Sequence, residues 1–165
     1  LQCCVEAMNE VAESMKSLGM TQVYLAPETT GKPSQLGSLD EILTLCEKVE
    51  STLPTIDWAH IHTREKGKLK SIHDFREVID AIEKRLGSGT VKNLHCHYTR
   101  VEFTLKGERC HHTMDEHEYG PEFEPFAVLI AELGLKPVIV SESPILDVDS
   151  LKMRDIVLKE LRKRR

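Results

Sequence analysis

Leu18-Gly19, Leu86-Gly87 and Leu133-Gly134 each close an apolar stripe of helical period, and a short β-rich run follows each within a few residues. Glycine at that place supplies the left-handed residue that ends a helix. The stripes are Val5, Met8, Ala12 and Met15, then Phe75, Val78, Ile79 and Ile82, then Phe123, Phe126 and Ile130. Leu39, Ile42, Leu43 and Cys46 form another behind a Ser38–Glu41 capping box. Leu151, Ile156, Val157 and Leu161 make the last. Between them residues 22–27 (QVYLAP), 55–61 (TIDWAHI), 91–98 (VKNLHCHY) and 136–141 (KPVIVS) read as buried strands. Alternation of this kind predicts an α/β fold of parallel βα repeats. At 165 residues the chain reads as one domain, 1–165, of about four βα units. A closed (β/α)8 barrel needs eight strands and about 250 residues. Two architectures remain, an open four- or five-stranded sandwich or the C-terminal half of a TIM barrel, and the residues at the strand ends favour the half-barrel.

Composition narrows the function. The formal charge of −5 argues against a simple basic patch for nucleic acid, unless bound cations supply the positive charge. Eighteen apolar residues never run together, which excludes a membrane-spanning helix, and the absence of a basic-then-apolar leader argues against a secreted precursor. Five cysteines without a CxxC pair fit a reducing cytoplasm and give no support to a zinc ribbon. A chain beginning at Leu1 reads as a processed product or a fragment.

In parallel α/β folds the chemistry gathers where strands end. Those places hold Glu28, then Asp57 with His60 and His62, then His95 with His97, then Glu142. Seven of the eight histidines lie within 60–62 and 95–117, and only His73 falls on a helix surface. Carboxylates converging on one rim repel unless cations lie between them, and carboxylate with neutral imidazole suits Zn2+, Mn2+ or Fe2+. Strand alternation puts His95 and His97 on one face; His62 and His97 read equally well as ligands or as structural residues. Residues 99–120 form a long excursion containing a hairpin around Lys106-Gly107, which could carry His111 or His112 over the rim. Lys32, Arg64, Lys66, Lys68 and Arg100 stand in loops of the same face, where they could position phosphates. The basic run 159–165 reads as a solvated helix end.

The stretches P-Glu28-TTGKPSQLG, I-Asp57-WA-His60, L-His95 and VS-Glu142-S, with the YGPEFEP of 119–125, resemble the C-terminal half of endonuclease IV over nearly the whole chain. The likeness is greatest to the archaeal relatives of this zinc-dependent apurinic/apyrimidinic endonuclease family, which belongs to the xylose-isomerase-like TIM barrels. The resemblance implies metal-dependent hydrolysis of the phosphodiester at abasic sites in DNA, with two or three Zn2+ ions in a complete barrel. It implies that Glu28 bridges two ions, that Asp57 and His95 complete the second site, and that His60, His111 and Glu142 serve the third. Glu28 and Glu142 are the expected catalytic carboxylates, and Lys32 and Arg100, from their loop positions, the expected substrate contacts. Arg109 stands where the family has an aspartate, two residues before the histidine matching His111, and Glu108 is one residue off. The family's other histidine ligands come from the first half of the barrel. Docking onto that missing half, or self-association through unpaired edge strands, is the corresponding expectation for partners. Two other readings are a divalent-metal sugar isomerase or epimerase of the same superfamily, and a non-catalytic half-barrel fragment.

Overall fold

A computed structural model describes residues 1–164. In chain order the elements are α1 (Gln2–Ser17), α2 (Leu39–Lys48), β1 (Thr55–Asp57), α3 (Trp58–Arg64), α4 (Ile72–Leu86), α5 (Ser88–Lys92), β2 (His95–Tyr98), β3 (Arg100–Thr104), β4 (Gly107–His112), α6 (Glu124–Leu133), β5 (Val138–Ser141) and α7 (Asp147–Arg162). Arg165, the last residue of the basic run, lies outside the described residues.

The helices form where the stripes and caps place them. Ser38 Oγ accepts from Glu41 N while the Glu41 carboxylate takes Ser38 N and Gly37 N, and Ser71 and Asp74 repeat the device at α4. Gly19, Gly87 and Gly134 all have positive φ, as the Leu-Gly endings predict. Those amide and hydroxyl donors hold the Glu41 carboxyl down at about 2 from its ordinary 4.5. A depressed acid stabilises the fold above its unfolded pKa, and the contribution disappears as pH falls through the folded one. Thermal melts of Glu41→Gln should therefore show a shallower loss of Tm between pH 4.5 and 2 than the parent chain, because the amide keeps the cap but not the charge. An identical pH slope would remove this carboxylate as a source of acid lability.

The half-barrel expectation is overturned. The described residues hold a three-stranded parallel sheet in the order β1-β2-β5 and a separate antiparallel pair, β3-β4. Each strand is shorter than its apolar run. Residues 22–27 contribute no strand, only an isolated parallel bridge at Leu25 to Thr52, with a second just after them at Glu28 to Thr55. The run 55–61 stops being a strand at Asp57, because the Asp57 carboxylate accepts His60 N and caps α3. Val91 and Lys92 belong to α5 and Asn93 and Leu94 to neither element, which leaves four residues for β2. Between β2 and β5 the chain inserts the hairpin as well as α6, so the repeat is broken where a barrel needs a plain βα unit.

Helices α1, α2, α4, α6 and α7 pack in succession, each on the next. Trp58 lies at the centre of the main core, its ring 5.0 Å from Phe75 and 4.6 Å from Phe126. Burial of such rings is the largest source of stabilisation available to the chain. Val5, Ile42, Leu45 and Val49 form a second, smaller cluster between α1 and α2. At α1, Val11 and Leu18 stay exposed outside that cluster. On β5, the outer strand, Val138 is 62% exposed.

Candidate metal centre

Each acidic or imidazole group reaches the rim through a specific local device. Glu28 is held by its bridge to Thr55. Thr29, its buried neighbour, fastens the segment to β1: its Oγ1 accepts Asp57 N at 2.9 Å, and its amide donates to Thr55 O. Asp57 is the last residue of β1, and its register partner on β2 is His97. Glu142 follows β5 immediately, its amide donating to Tyr98 O. Ser143 and Met114 N both donate to the buried Asp149 carboxylate, which ties the Glu142 segment to the loop after the hairpin.

Glu28, Asp57, His97 and Glu142 thus present one ligand atom each, all within 4.8 Å of one another. His97 Nδ1 lies 3.2 Å from Glu28 Oε1 and 3.1 Å from Glu142 Oε1, and one ring nitrogen can donate to only one of them. Asp57 is fully buried and its Oδ2 has no hydrogen-bond partner. Burial pushes the Asp57 carboxyl up to about 6 against the pull of the His60 ring, and the Glu142 and Glu28 carboxylates add to the rise. Three carboxylates on one imidazole, with an orphaned oxygen among them, fit a divalent cation.

A second cluster adjoins the first across His60. Its Nδ1 lies 2.8 Å from Thr29 O, 3.3 Å from Asp57 Oδ2 and 3.5 Å from Glu28 Oε1, and its Nε2 lies 2.7 Å from Glu108 Oε2. His111 mirrors it: Nδ1 is 3.0 Å from Glu142 O, and Nε2 is 3.2 Å from Glu108 Oε1. With each Nδ1–H donated to a backbone carbonyl, both Nε2 lone pairs face the same carboxylate. Acceptors alone then meet at that point, and the cation that reconciles them can be a proton or a metal. Imidazoles fixed through Nδ1–H, leaving Nε2 free, are the usual arrangement of metal ligands. Burial pulls the His60 imidazolium down, but the Asp57 carboxylate, the Thr29 carbonyl and Glu108 outweigh it and raise it.

Gly31 lets the loop after Glu28 close over this second cluster. A Cβ there would lie 3.1 Å from Glu108 Oε2 and 3.2 Å from His60 Cδ2. Arg64 pins the same loop, donating to Lys32 O at 2.9 Å and Gln35 O at 3.0 Å, so it is a loop anchor rather than a free phosphate contact. Lys32 stays exposed beside the hairpin turn.

The expected ligand set is therefore regrouped. Glu28, Asp57, His60, His111 and Glu142 all come to the rim, but Glu142 joins Asp57 rather than His60 and His111. His95 is exposed and outside both clusters. It lies on the same face as His97 but two residues, roughly 6.6 Å, farther from the strand end. The register decides between them: β1 ends at Asp57, and its partner on β2 is His97. Glu108 stands one residue off the family's spacing, and plain strand alternation would put positions 108 and 111 on opposite faces. A bulge changes the phase. Glu102 pairs with Cys110 and Phe103 with Glu108, leaving Arg109 as the extra residue, so Glu108 and His111 face the same way.

Arg100 is corrected outright, and His62, which reads either way from the sequence, takes the structural role. Arg100, 1% exposed, cannot meet a substrate: it donates to Met114 O, Tyr119 O and both Glu122 oxygens. His62 is buried against Phe103, its ring pulled down to about 4 by burial, and serves as a neutral core residue.

No protein-family model matches the chain. It is 29% identical, over 144 residues, to an uncharacterized protein of Methanocaldococcus jannaschii. That alignment covers 87% of this chain and 51% of the relative, so the chain spans about half the length of the curated relative it matches. Among the described residues, no helix is long and apolar enough to cross a membrane.

Proposed function

We propose that the rim holds divalent metal ions of the Zn2+ class and hydrolyses phosphodiesters, with DNA at abasic sites as the substrate. The observation that carries this reading is the pair of adjoining clusters, Glu28–Asp57–His97–Glu142 and His60–Glu108–His111, in contact through His60. Two imidazoles and one carboxylate make a donor set suited to Zn2+, and the acid-rich cluster also accepts Mn2+ or Fe2+. Ions held there supply Lewis acidity toward phosphoryl oxygens and make water easier to ionise at neutral pH.

The protein's own groups divide the remaining work by exposure. Asp57 is sealed and positions His60 through its amide. The side chains of Glu28 and Glu142 are 35% and 30% exposed, open enough to accept a proton from attacking water. Lys32 stands beside the second cluster and supplies a positive charge for a non-bridging phosphate oxygen. A nucleotide without a base has no pairing to lose when it is drawn into such a site. The resemblance to endonuclease IV supplies the choice of DNA.

The test is incision of a duplex carrying one abasic site, with the chain stripped by a chelator and then resupplied with Zn2+ or Mn2+. Cleavage 5′ to the abasic site that is lost on stripping and restored by metal is the expected result. Metal-loaded protein that leaves the duplex intact, or that acts only on ketoses, overturns the reading.

A further inference from the structure

The bulge at Arg109 gives the β3–β4 hairpin a second chemical face. With Glu108 and His111 turned to the rim, Glu102, Cys110 and His112 fall together on the other side. Cys110 Sγ lies 3.1 Å from His112 Nε2 and 3.8 Å from Glu102 Oε2, and Glu102 Oε2 lies 3.9 Å from His112 Nε2. Each of the two partners of the thiol is held from behind. Arg109 Nη1 occupies Glu102 Oε1 at 2.6 Å, which leaves Oε2 aimed at the sulfur. His112 Nδ1 lies 2.8 Å from Glu116 Oε1, and Glu116 Oε2 accepts both Thr113 N and Thr113 Oγ1. The His112 ring also stacks on Tyr119, centroids 3.6 Å apart. The Glu116 carboxylate therefore fixes the Nδ1–H tautomer and points the Nε2 lone pair at the sulfur. Carboxylate behind imidazole is the outer support that metal-bound histidines characteristically have.

We propose that Glu102, Cys110 and His112 form a separate binding site for a divalent ion of borderline or soft character, Zn2+ in chemical class, on the outer face of the hairpin. A plain thiol–imidazole hydrogen bond leaves a single proton shared among the three groups, and the Glu102 oxygen facing both partners goes unexplained. A cation satisfies all three. Sulfur as donor selects against Mg2+ and Ca2+, and three protein ligands leave a fourth position open to water. The ion would clip β3 to β4 beside the bulge, and so hold the phase that turns Glu108 and His111 to the rim. This site shares no ligand with the rim clusters and does not depend on their proposed activity.

Co2+ serves as the probe, because a cobalt–thiolate bond gives a near-ultraviolet charge-transfer band that oxygen and nitrogen ligands do not. Metal-stripped full chain titrated with Co2+ should develop that band. Cys110→Ser should abolish it, while Cys3→Ser/Cys4→Ser and the rim variant Asp57→Asn should keep it. No band in the parent chain, or a band that survives Cys110→Ser, overturns the proposal. Should Cys110→Ser fail to fold, the parent chain decides: bound Zn2+ should slow alkylation of Cys110 by iodoacetamide at least tenfold, read by peptide mass. An unchanged alkylation rate in the presence of Zn2+ equally overturns it.

Discussion

Asp57→Asn should strip the acid-rich cluster of its metal while leaving the fold in place. Asparagine caps a helix as well as aspartate does, so the bond to His60 N persists and α3 keeps its start. What disappears is the negative Oδ2, the buried oxygen that no hydrogen bond satisfies. Altering an outer-shell partner typically costs about 10–100-fold in metal affinity, and loss of a charged ligand should exceed that. Elemental analysis of dialysed protein should show roughly one ion fewer per chain, with the circular dichroism spectrum unchanged. His97→Ala should behave in the same way. His95→Ala should retain full metal content, which separates the register seen in the sheet from the assignment the resemblance implies. Unaltered stoichiometry in both Asp57→Asn and His97→Ala would leave the cluster without a metal.

Arg100→Met should cost stability and leave the site's chemistry alone. The guanidinium is sealed inside the loop that follows β4, bonded to Met114 O at 2.9 Å and Tyr119 O at 2.6 Å as well as to Glu122. Removing it strands two carbonyls, at ~1–3 kcal/mol each, beside a carboxylate that has lost its partner. Glu122 is 44% exposed and can be rehydrated, so the expected loss is about 3 kcal/mol, the low end for a broken buried pair. For a domain of this size that corresponds to a fall in Tm of roughly 6–12 °C. A direct substrate contact would give the opposite result, a raised KM at unchanged Tm. Calorimetry and steady-state kinetics on one variant distinguish the two.

Both expectations turn on residues whose chemistry was visible in the sequence and whose placement was not. The helices, their Ser38 and Ser71 starts and their glycine ends follow from local rules, since caps and apolar stripes act within a few residues of each other. The hairpin around Lys106-Gly107 was legible for the same reason. Glu28, Asp57, His60, His111 and Glu142 stood out because ionisable groups at the ends of apolar runs need partners. The half-barrel was not there to be read. Counting apolar runs treats each as a whole strand, whereas Asp57 converts most of one into α3 and the bridges at Leu25 and Glu28 stop short of making another.

By itself the sequence determined the α/β class, the helical frame and the kinds of ionisable group gathered at the strand ends. Only the tertiary structure decided how they group: His97 in place of His95, Glu108 recruited beside His111, Arg100 withdrawn into the interior. The physical reason is the same in all three cases. Strand register and a single-residue bulge are set by pairing between distant segments, and a shift of one residue exchanges the faces on which every later side chain lies.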